Sequence, residues 1–178
     1  MFDIIAMVMK MKKLEITKGK LILYILTFIA VVFGDQLTKY IVDKTLNLGT
    51  GYSIIDNFFY FTYVHNYGAA WGILQGKINL FFLVSIVATI GIIYYFVRSF
   101  SYQQYTRYGL VLVFSGMIGN LIDRMVLGYV RDFIDFIIFG YNFPIFNIAD
   151  IAIVVGVGFL LLDIAIEEYK TWKLSKSA

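Results

Sequence analysis

The sequence predicts an α-helical membrane protein that has four transmembrane helices and a small extracytoplasmic β-rich cradle. Four apolar runs approach the ~20 residues that a helix needs to cross ~30 Å of hydrocarbon. One segment between them is rich in aromatic and β-branched residues, which favour strands. Hydrophobic residues make up 60% of the 178 residues and charged residues only 15%. Since so few polar side chains cannot cover a small soluble domain, this composition excludes a soluble globular enzyme, a disordered chain and a nucleic-acid binder.

The four predicted helices are separated by shorter, more polar connections. Pro144 is expected in the first turn of the last helix, where its missing N–H would have no partner. Gly156 and Gly158 follow a small-residue pattern that is typical of packing between membrane helices. The predicted spans are Leu21–Val42, Ile78–Val97, Tyr108–Leu127 and Pro144–Ile166.

The distribution of basic residues predicts the orientation of the chain. Ten of the fifteen fall on one side of a four-span topology, and the positive-inside rule places that side, with both termini, in the cytoplasm. We therefore expect a single membrane-embedded domain with a cytoplasmic extension (1–17), an extracytoplasmic cap (43–77) and a cytoplasmic tail (168–178). The ten residues are Lys10, Lys12, Lys13, Lys18, Lys20, Arg98, Arg107, Lys170, Lys173 and Lys176.

The outer segment between the first two spans has the composition of a small sheet. Phe58–Val64 consists almost entirely of aromatic and β-branched residues, and turn-forming residues flank it. We expect a strand-rich cap whose aromatic side chains lie at the level of the lipid headgroups. The stretch Ala70–Leu74 is expected to run along the membrane surface, and His65 to be a hydrogen-bonded loop residue.

Two aspartates are candidates for chemistry. An ionisable group in a membrane span costs ~2.5–3.5 kcal/mol on insertion scales, so it indicates a functional site by default. Asp132 follows the third span, and Asp150 is predicted about two turns into the fourth, ~9 Å from its start. Two carboxylates facing each other in a low dielectric cannot both ionise cheaply, so one would hold a proton while the other acts as a base. The alternative is that each aspartate caps a helix or pairs with Arg131 or Arg124.

The other polar residues offer weaker chemistry. The chain has no cysteine and one histidine, which excludes thiolate sites and a histidine-rich metal site. Neither Ser53 nor Ser115 lies in the sequence context of a nucleophile elbow. Asp35 and Lys39 are four residues apart with the acid first, a favourable helical pair, and we interpret them as neutralising each other within the bundle.

Five motifs, in this order, resemble those of the lipoprotein signal peptidase family, signal peptidase II. The resemblance covers the chain from about Lys18 to the end of the fourth span. One modest departure is Trp71, which stands where many members carry phenylalanine. The motifs are Asp35–Lys39, Asn66–Gly72, Gly119–Arg124, Val130–Phe133 and Phe143–Asp150.

The resemblance implies a four-helix protease of the bacterial cytoplasmic membrane. Such a protease cleaves the signal peptide of a diacylglyceryl prolipoprotein just before the lipidated cysteine, without a metal or cofactor. By the family pattern Asp132 and Asp150 form the catalytic pair, which faces the outer leaflet, and Asp35 and Lys39 support it. We expect a monomer in contact with membrane lipids and no nucleic-acid partner. The residues expected to line the site are Asn66, Asn120, Arg124 and Asn147.

Two other classes of protein fit parts of the sequence. A small transporter or channel would use intramembrane carboxylates such as Asp35, Asp123, Asp150 and Asp163. The transporter or channel hypothesis predicts polar groups across the whole membrane thickness, whereas in this sequence they concentrate at the predicted outer ends of the spans. A structural assembly factor that docks through its aromatic cap would leave the carboxylate pair unexplained.

Overall fold

A computed structural model of the chain describes residues 16–68, 75–99 and 102–177. The predicted stretch Ala70–Leu74, the residue Trp71 and most of the 1–17 extension lie outside these ranges. Within them the predicted fold class is confirmed, since four helices are long and apolar enough to cross a membrane. The helices are α1 (Lys18–Thr45), α2 (Ile78–Arg98), α3 (Gln104–Val126) and α4 (Ile148–Ser177).

Helix α3 is the centre of the bundle and packs against the other three helices. Its seam with α4 depends on glycine, as small-residue packing in membranes requires. A Cβ atom on Gly109 would lie 2.7 Å from the carbonyl oxygen of Gly156, and one on Gly116 would lie 2.2 Å from that of Ala149. The predicted packing role of Gly156 is therefore supported. The same prediction for Gly158 is wrong, because that glycine has open space around its Cβ position.

The connection between α1 and α2 and the connection between α3 and α4 form one antiparallel sheet with the strand order β1-β2-β3-β4. The predicted strand-rich cap supplies β1 (Gly51–Ile55) and β2 (Phe59–Asn66), while β3 (Val130–Ile138) and β4 (Tyr141–Asn142) come from the connection after α3. His65 lies in β2, so its expected loop position is wrong. Its ring stacks on Tyr129 and hydrogen-bonds the Tyr63 hydroxyl.

A small apolar core joins this sheet to the C-terminal end of α1. Tyr63 of β2 and Phe133 and Ile134 of β3 bury their side chains against Val42 near the end of that helix. The sheet is thereby held over the end of the bundle where α1 and α3 finish, and the first residues of β3 lie beside these helix ends.

Helix α4 begins four residues later than predicted. Pro144 precedes the helix, because the backbone of Phe146 pairs instead with Ile134 of β3. The helix starts after Asn147, whose side-chain oxygen accepts the Asp150 N–H at 3.1 Å. The Asp150 carboxylate in turn accepts the Asn147 N–H at 3.1 Å. This reciprocal capping box places Asp150 in the first turn of α4 and not two turns inside it.

Candidate active site

The structure brings the two predicted aspartates to the same asparagine. Asp132 is the third residue of β3 and is 2% exposed. The side-chain amide of Asn147 donates to Oδ1 of Asp132 at 2.6 Å, while its backbone N–H donates to Oδ2 of Asp150. One residue therefore binds both carboxylates, which come from a strand and from a helix start.

Two further amides complete the hydrogen bonding of this pair. Asn66, the last residue of β2, donates to Oδ2 of Asp132 at 2.9 Å. Asn120 of α3 donates to Oδ1 of Asp150 at 2.8 Å. Each of the four carboxylate oxygens thus accepts an N–H, so both side chains are held in one orientation.

The direction of each asparagine amide follows from what lies on its other side. The side-chain oxygen of Asn120 accepts from the Lys39 ammonium at 2.9 Å, and that of Asn66 accepts the Gly68 N–H at 2.9 Å. The oxygen of Asn147 accepts the Asp150 N–H, as described above. Because ammonium and backbone N–H groups only donate, each amide must turn its NH₂ group towards the carboxylates.

The two carboxylates are not neutralised by the arginines nearest to them in sequence. Arg131 directs its guanidinium to Asp123 at 2.8 Å, because successive strand residues point to opposite faces and Arg131 adjoins Asp132. Arg124 donates to the carbonyl oxygen of Gly68 at 2.8 Å and lies over the Phe81 ring. The alternative in which Asp132 pairs with an arginine is not what the described side chains show.

Burial makes Asp132 hard to ionise. Its removal from water, followed by the nearby charge of Asp150, raises the pKa of Asp132 to about 7. The amide donors Asn66 and Asn147 oppose this rise only in part. Around neutral pH the pair can therefore hold one proton between its two members, as acid–base catalysis by two carboxylates requires.

A cavity of about 610 Å³ opens beside the pair. Its polar lining consists of both aspartates with Asn66, Asn120, Arg124 and Ser85, and its remaining walls are mainly apolar. Such a site can accommodate a largely apolar ligand next to a few polar groups. The apolar lining includes Phe81, Val84, Met117, Val130, Phe146, Ile151, Ile153, Val154 and Val155.

The predicted pair of Asp35 and Lys39 forms a fully buried ion pair behind the site. The Lys39 ammonium lies 2.9 Å from Asp35 and 3.6 Å from Asp123. Sequence reasoning missed Gln36 and Arg131, which join this group: Arg131 donates to the Gln36 side-chain oxygen at 3.1 Å. The available signal was a glutamine in the interior of an apolar span.

Two other aspartates lie away from the cavity lining. Asp135 accepts from the Thr62 hydroxyl at 2.7 Å, because at three positions from Asp132 it points to the other face of β3. Asp163 accepts from the backbone and hydroxyl of Thr106. It follows Asp150 by thirteen residues of helix, which is ~20 Å.

Comparison with known proteins finds relatives that match most of the chain. The family model described as signal peptidase (SPase) II matches residues 27–166. Lipoprotein signal peptidases of Staphylococcus aureus strains JH9 and Newman are 44% identical over 138 residues, which is 78% of this chain and 85% of theirs.

Solved structures agree with these matches. A bacterial membrane enzyme determined by the in meso method at 2.3 Å resolution aligns with a TM-score of 0.79 and 41% identity. The alignment covers 88% of this chain and 93% of that one. A second, at 1.9 Å resolution, aligns with a TM-score of 0.75 and 42% identity, over 86% and 96% of the two chains.

Proposed function

Because this chain belongs to the signal peptidase II family, we propose that it is an aspartic endopeptidase. Membership implies a bacterial multi-pass membrane peptidase that removes signal peptides from prolipoproteins. The finer proposal is that Asp132 and Asp150 activate water to cleave the bond just before the diacylglyceryl cysteine. The observation that carries it is the pair of carboxylates bound by one asparagine beside a largely apolar cavity.

We assign the resting proton of the pair to Asp132 and the charge to Asp150. The raised pKa of Asp132, about 7, supports this division. A water between the two side chains gives a proton to the Asp150 carboxylate and attacks the scissile carbonyl carbon. The neutral Asp132 donates a hydrogen bond to the developing oxyanion. The proton on Asp150 then passes to the leaving amide nitrogen, and the C–N bond breaks.

The three asparagines prepare the pair for this exchange of protons. Each asparagine presents only N–H donors to the carboxylates. The Asp132 and Asp150 side chains therefore keep the same partners, and do not rotate, when their charge changes. Preorganised donors of this kind need no rearrangement during the reaction. We propose Asn66, Asn120 and Asn147 as residues that position the catalytic aspartates.

The lipid part of the substrate fits the apolar side of the cavity. Val84 of α2 and Val154 of α4 line the cavity and are 55% and 69% exposed, so these walls continue onto the lipid-facing surface. We propose that the diacylglyceryl chains remain in lipid between these helices and hold the cysteine at the depth of the aspartates. Arg124, whose guanidinium donates to the Gly68 carbonyl, is the candidate to bind a substrate carbonyl.

We further propose a monomer whose termini lie in the cytoplasm, so that 43–77 and the active site face the outer leaflet. The motivation is the asymmetry of lysine and arginine along the sequence. Since the chain has no cysteine, single cysteines can test the orientation. In intact cells an impermeant thiol reagent should label a cysteine at Ser53 in β1 and not one at Ser175 near the end of α4. The reverse pattern would overturn the proposed orientation.

The decisive test of function is cleavage by the purified protein in detergent. A diacylglyceryl prolipoprotein should be cut to the free signal peptide and a product that begins with the lipidated cysteine. The wild-type protein should cut the same precursor without its lipid far more slowly. The Asp132→Asn variant should not cut the lipidated precursor. Intact lipidated precursor after incubation with folded wild-type protein would refute the proposed activity.

A further inference from the structure

We infer that Asp35, Lys39 and Asp123 form a brace that sets the position of both catalytic aspartates. The inference rests on the proposed function of Asp132 and Asp150. All three brace side chains are fully buried. The Lys39 ammonium lies 2.9 Å from Asp35 and 3.6 Å from Asp123, so one cation stands between two carboxylates that come from α1 and α3.

Each carboxylate of the brace binds the backbone N–H of the residue directly before a catalytic aspartate. Oδ1 of Asp35 accepts the Ala149 N–H at 3.0 Å. Oδ2 of Asp123 accepts the Arg131 N–H at 2.9 Å. The start of α4 and the start of β3 are thereby fastened to the same cation through one carboxylate each.

The bond to Ala149 has no substitute within its own helix. Ala149 lies in the first turn of α4, where backbone N–H groups have no intrahelical acceptor. Its side chain is completely buried, so losing Asp35 would leave an unsatisfied donor. Gly119 of α3 makes room for this contact, since a Cβ atom there would lie 2.6 Å from Oδ2 of Asp35.

The brace needs its cation for two reasons. Without Lys39, two buried carboxylates would face each other, and one would take up a proton or move away. The ammonium also donates to Asn120 at 2.9 Å, which turns the amide of that residue towards Asp150. Lys39 therefore acts on Asp150 by two routes, through Asn120 and through Asp35 with Ala149.

Two further side chains close the brace on its other side. The Gln36 amide nitrogen lies 3.1 Å from Asp35 and 3.2 Å from Asp123. Arg131 binds Asp123 through its guanidinium as well as its backbone. The two carboxylates, Asp35 and Asp123, are thus balanced in charge by Lys39 and Arg131. The cavity-lining residues include none of the five, so these are positioning residues that do not touch the substrate.

The test compares Lys39→Met and Lys39→Arg with a control, Asp163→Asn, which alters a buried carboxylate at the other end of α4. Because a displacement of about 1 Å can cost ~100-fold in rate, Lys39→Met should lower kcat about 100-fold and change KM less than about threefold. Lys39→Arg keeps the positive charge, so its kcat should be at least about tenfold higher than that of Lys39→Met. Asp163→Asn should keep a near wild-type kcat.

A second measurement does not depend on activity. In ¹⁵N-labelled protein, the amides of Ala149 and Arg131 should exchange with solvent at least about tenfold faster in Lys39→Met than in wild type. The Ile134 amide, which binds the Phe146 carbonyl at 2.8 Å, should be unchanged. If Lys39→Met does not fold, Gly119→Ala displaces Asp35 without removing a charge, and it should accelerate exchange at Ala149 alone.

The outcomes separate the brace from the proposed function. Unchanged exchange at Ala149 and Arg131 in Lys39→Met, or at Ala149 in Gly119→Ala, would overturn the brace whether or not the protein cleaves prolipoprotein. If the Ala149 and Arg131 amides exchange faster in Lys39→Met but the wild-type protein does not cleave prolipoprotein, the brace is supported as a structural element and the proposed peptidase activity is refuted. A kcat loss in Lys39→Met matched by an equal loss in Asp163→Asn would also overturn it, since general destabilisation would then explain both.

Discussion

In the part of the chain that the structure describes, the bundle holds two buried polar regions, one at each end, and only one of them is a candidate active site. The region that we call outer, after the proposed orientation, holds Asp132 and Asp150 with their asparagines and the brace. The inner cluster consists of Ser99, Thr106, Arg107 and Asp163. There the Arg107 guanidinium donates to the Ser99 hydroxyl at 3.0 Å and to its carbonyl at 2.8 Å. Asp163 accepts the Thr106 N–H at 3.2 Å.

The difference lies in what surrounds the charges and not in how deeply they are buried. Arg107 is fully buried and Asp163 is 5% exposed, comparable with Asp132 at 2%. The inner cluster contains a single carboxylate, which caps the first turn of α3, and it does not line the described cavity. The outer region brings two carboxylates to one amide beside that cavity. Burial of a charged group alone therefore does not single out a candidate active site, whereas a like-charged pair beside a cavity does.

The separation of the two regions also bears on the transporter hypothesis. Between Arg107 and Asn120 helix α3 carries no charged residue, and neither does α4 between Asp150 and Asp163. A path for protons or cations would need polar groups across this interval. The two polar regions are thus separate sites, which favours a peptidase with one reacting centre.

The strongest contrast between the regions should appear on neutralising the two aspartates that we propose as catalytic. Asp132→Asn and Asp150→Asn should each lower kcat by about 10³-fold or more, because the base or the shared proton is lost. The double variant should be no slower than either single one, since the pair acts as a unit. Cleavage of lipidated precursor measures this, with Asp135→Asn as the control that retains activity. A double variant much slower than both singles would mean that the pair is wrongly chosen.

The glycine seam offers a geometric way to disturb the outer region alone. In Gly116→Ala the added Cβ would meet the Ala149 carbonyl oxygen at 2.2 Å, which must displace the start of α4 and with it Asp150. We expect kcat to fall about 10- to 100-fold, together with a lower melting temperature. Gly158→Ala on the same helix pair meets open space and is the matched control. Equal kcat in the two variants would contradict the proposed dependence on the α4 start.

The pH dependence of activity should follow the proton of Asp132. With its pKa at about 7, the singly protonated pair is lost as the pH rises, so kcat/KM should fall towards tenfold per pH unit above about pH 8. The apparent value belongs to the pair and not to Asp132 alone. A profile measured from pH 5 to 9 that stays flat at the alkaline end would contradict a proton held on the pair.

The same shift predicts how stability changes with pH. The folded state binds the Asp132 proton more tightly than the unfolded state, whose aspartate has a pKa near 3.8. Between about pH 4 and 7 this residue therefore makes the free energy of unfolding fall as the pH rises. Asp132→Asn removes the effect, so its melting temperature should exceed that of wild type by more at pH 8 than at pH 5. A constant difference would refute the raised pKa.

The smallest effect on activity is expected at the inner cluster. Asp163→Asn keeps the size of the side chain but weakens the cap on α3. This should lower the free energy of unfolding by about 0.5–2 kcal/mol. We expect a lower melting temperature and a kcat within about threefold of wild type, since the reacting groups lie ~20 Å away. A kcat loss as large as that of Asp150→Asn would show that the two regions are coupled.

Local features of the chain were sufficient for much of the architecture. Hydropathy and segment length act through the solvation of each residue, so the four spans are visible without any tertiary contact. The strand character of Phe58–Val64 is equally local. The predicted start of α4 was wrong because it depends on a tertiary contact. Phe146 pairs with Ile134 of β3, and a partner twelve residues away leaves no mark in the local sequence pattern.

By itself the sequence determined four helices apolar enough to cross a membrane, a strand-rich segment, and the resemblance to signal peptidase II through Asp132, Asp150 and the residues around them. Only the tertiary structure decided how those aspartates are held: Asn147 binds both, Asn66 and Asn120 bind one each, and the brace around Lys39 binds the backbone directly before each of them. The physical reason is that hydrogen bonds and ion pairs depend on distances of about 3 Å and on direction. Such distances join residues up to 114 positions apart, as between Asp35 and Ala149, and they exist only once the helices and the sheet have packed.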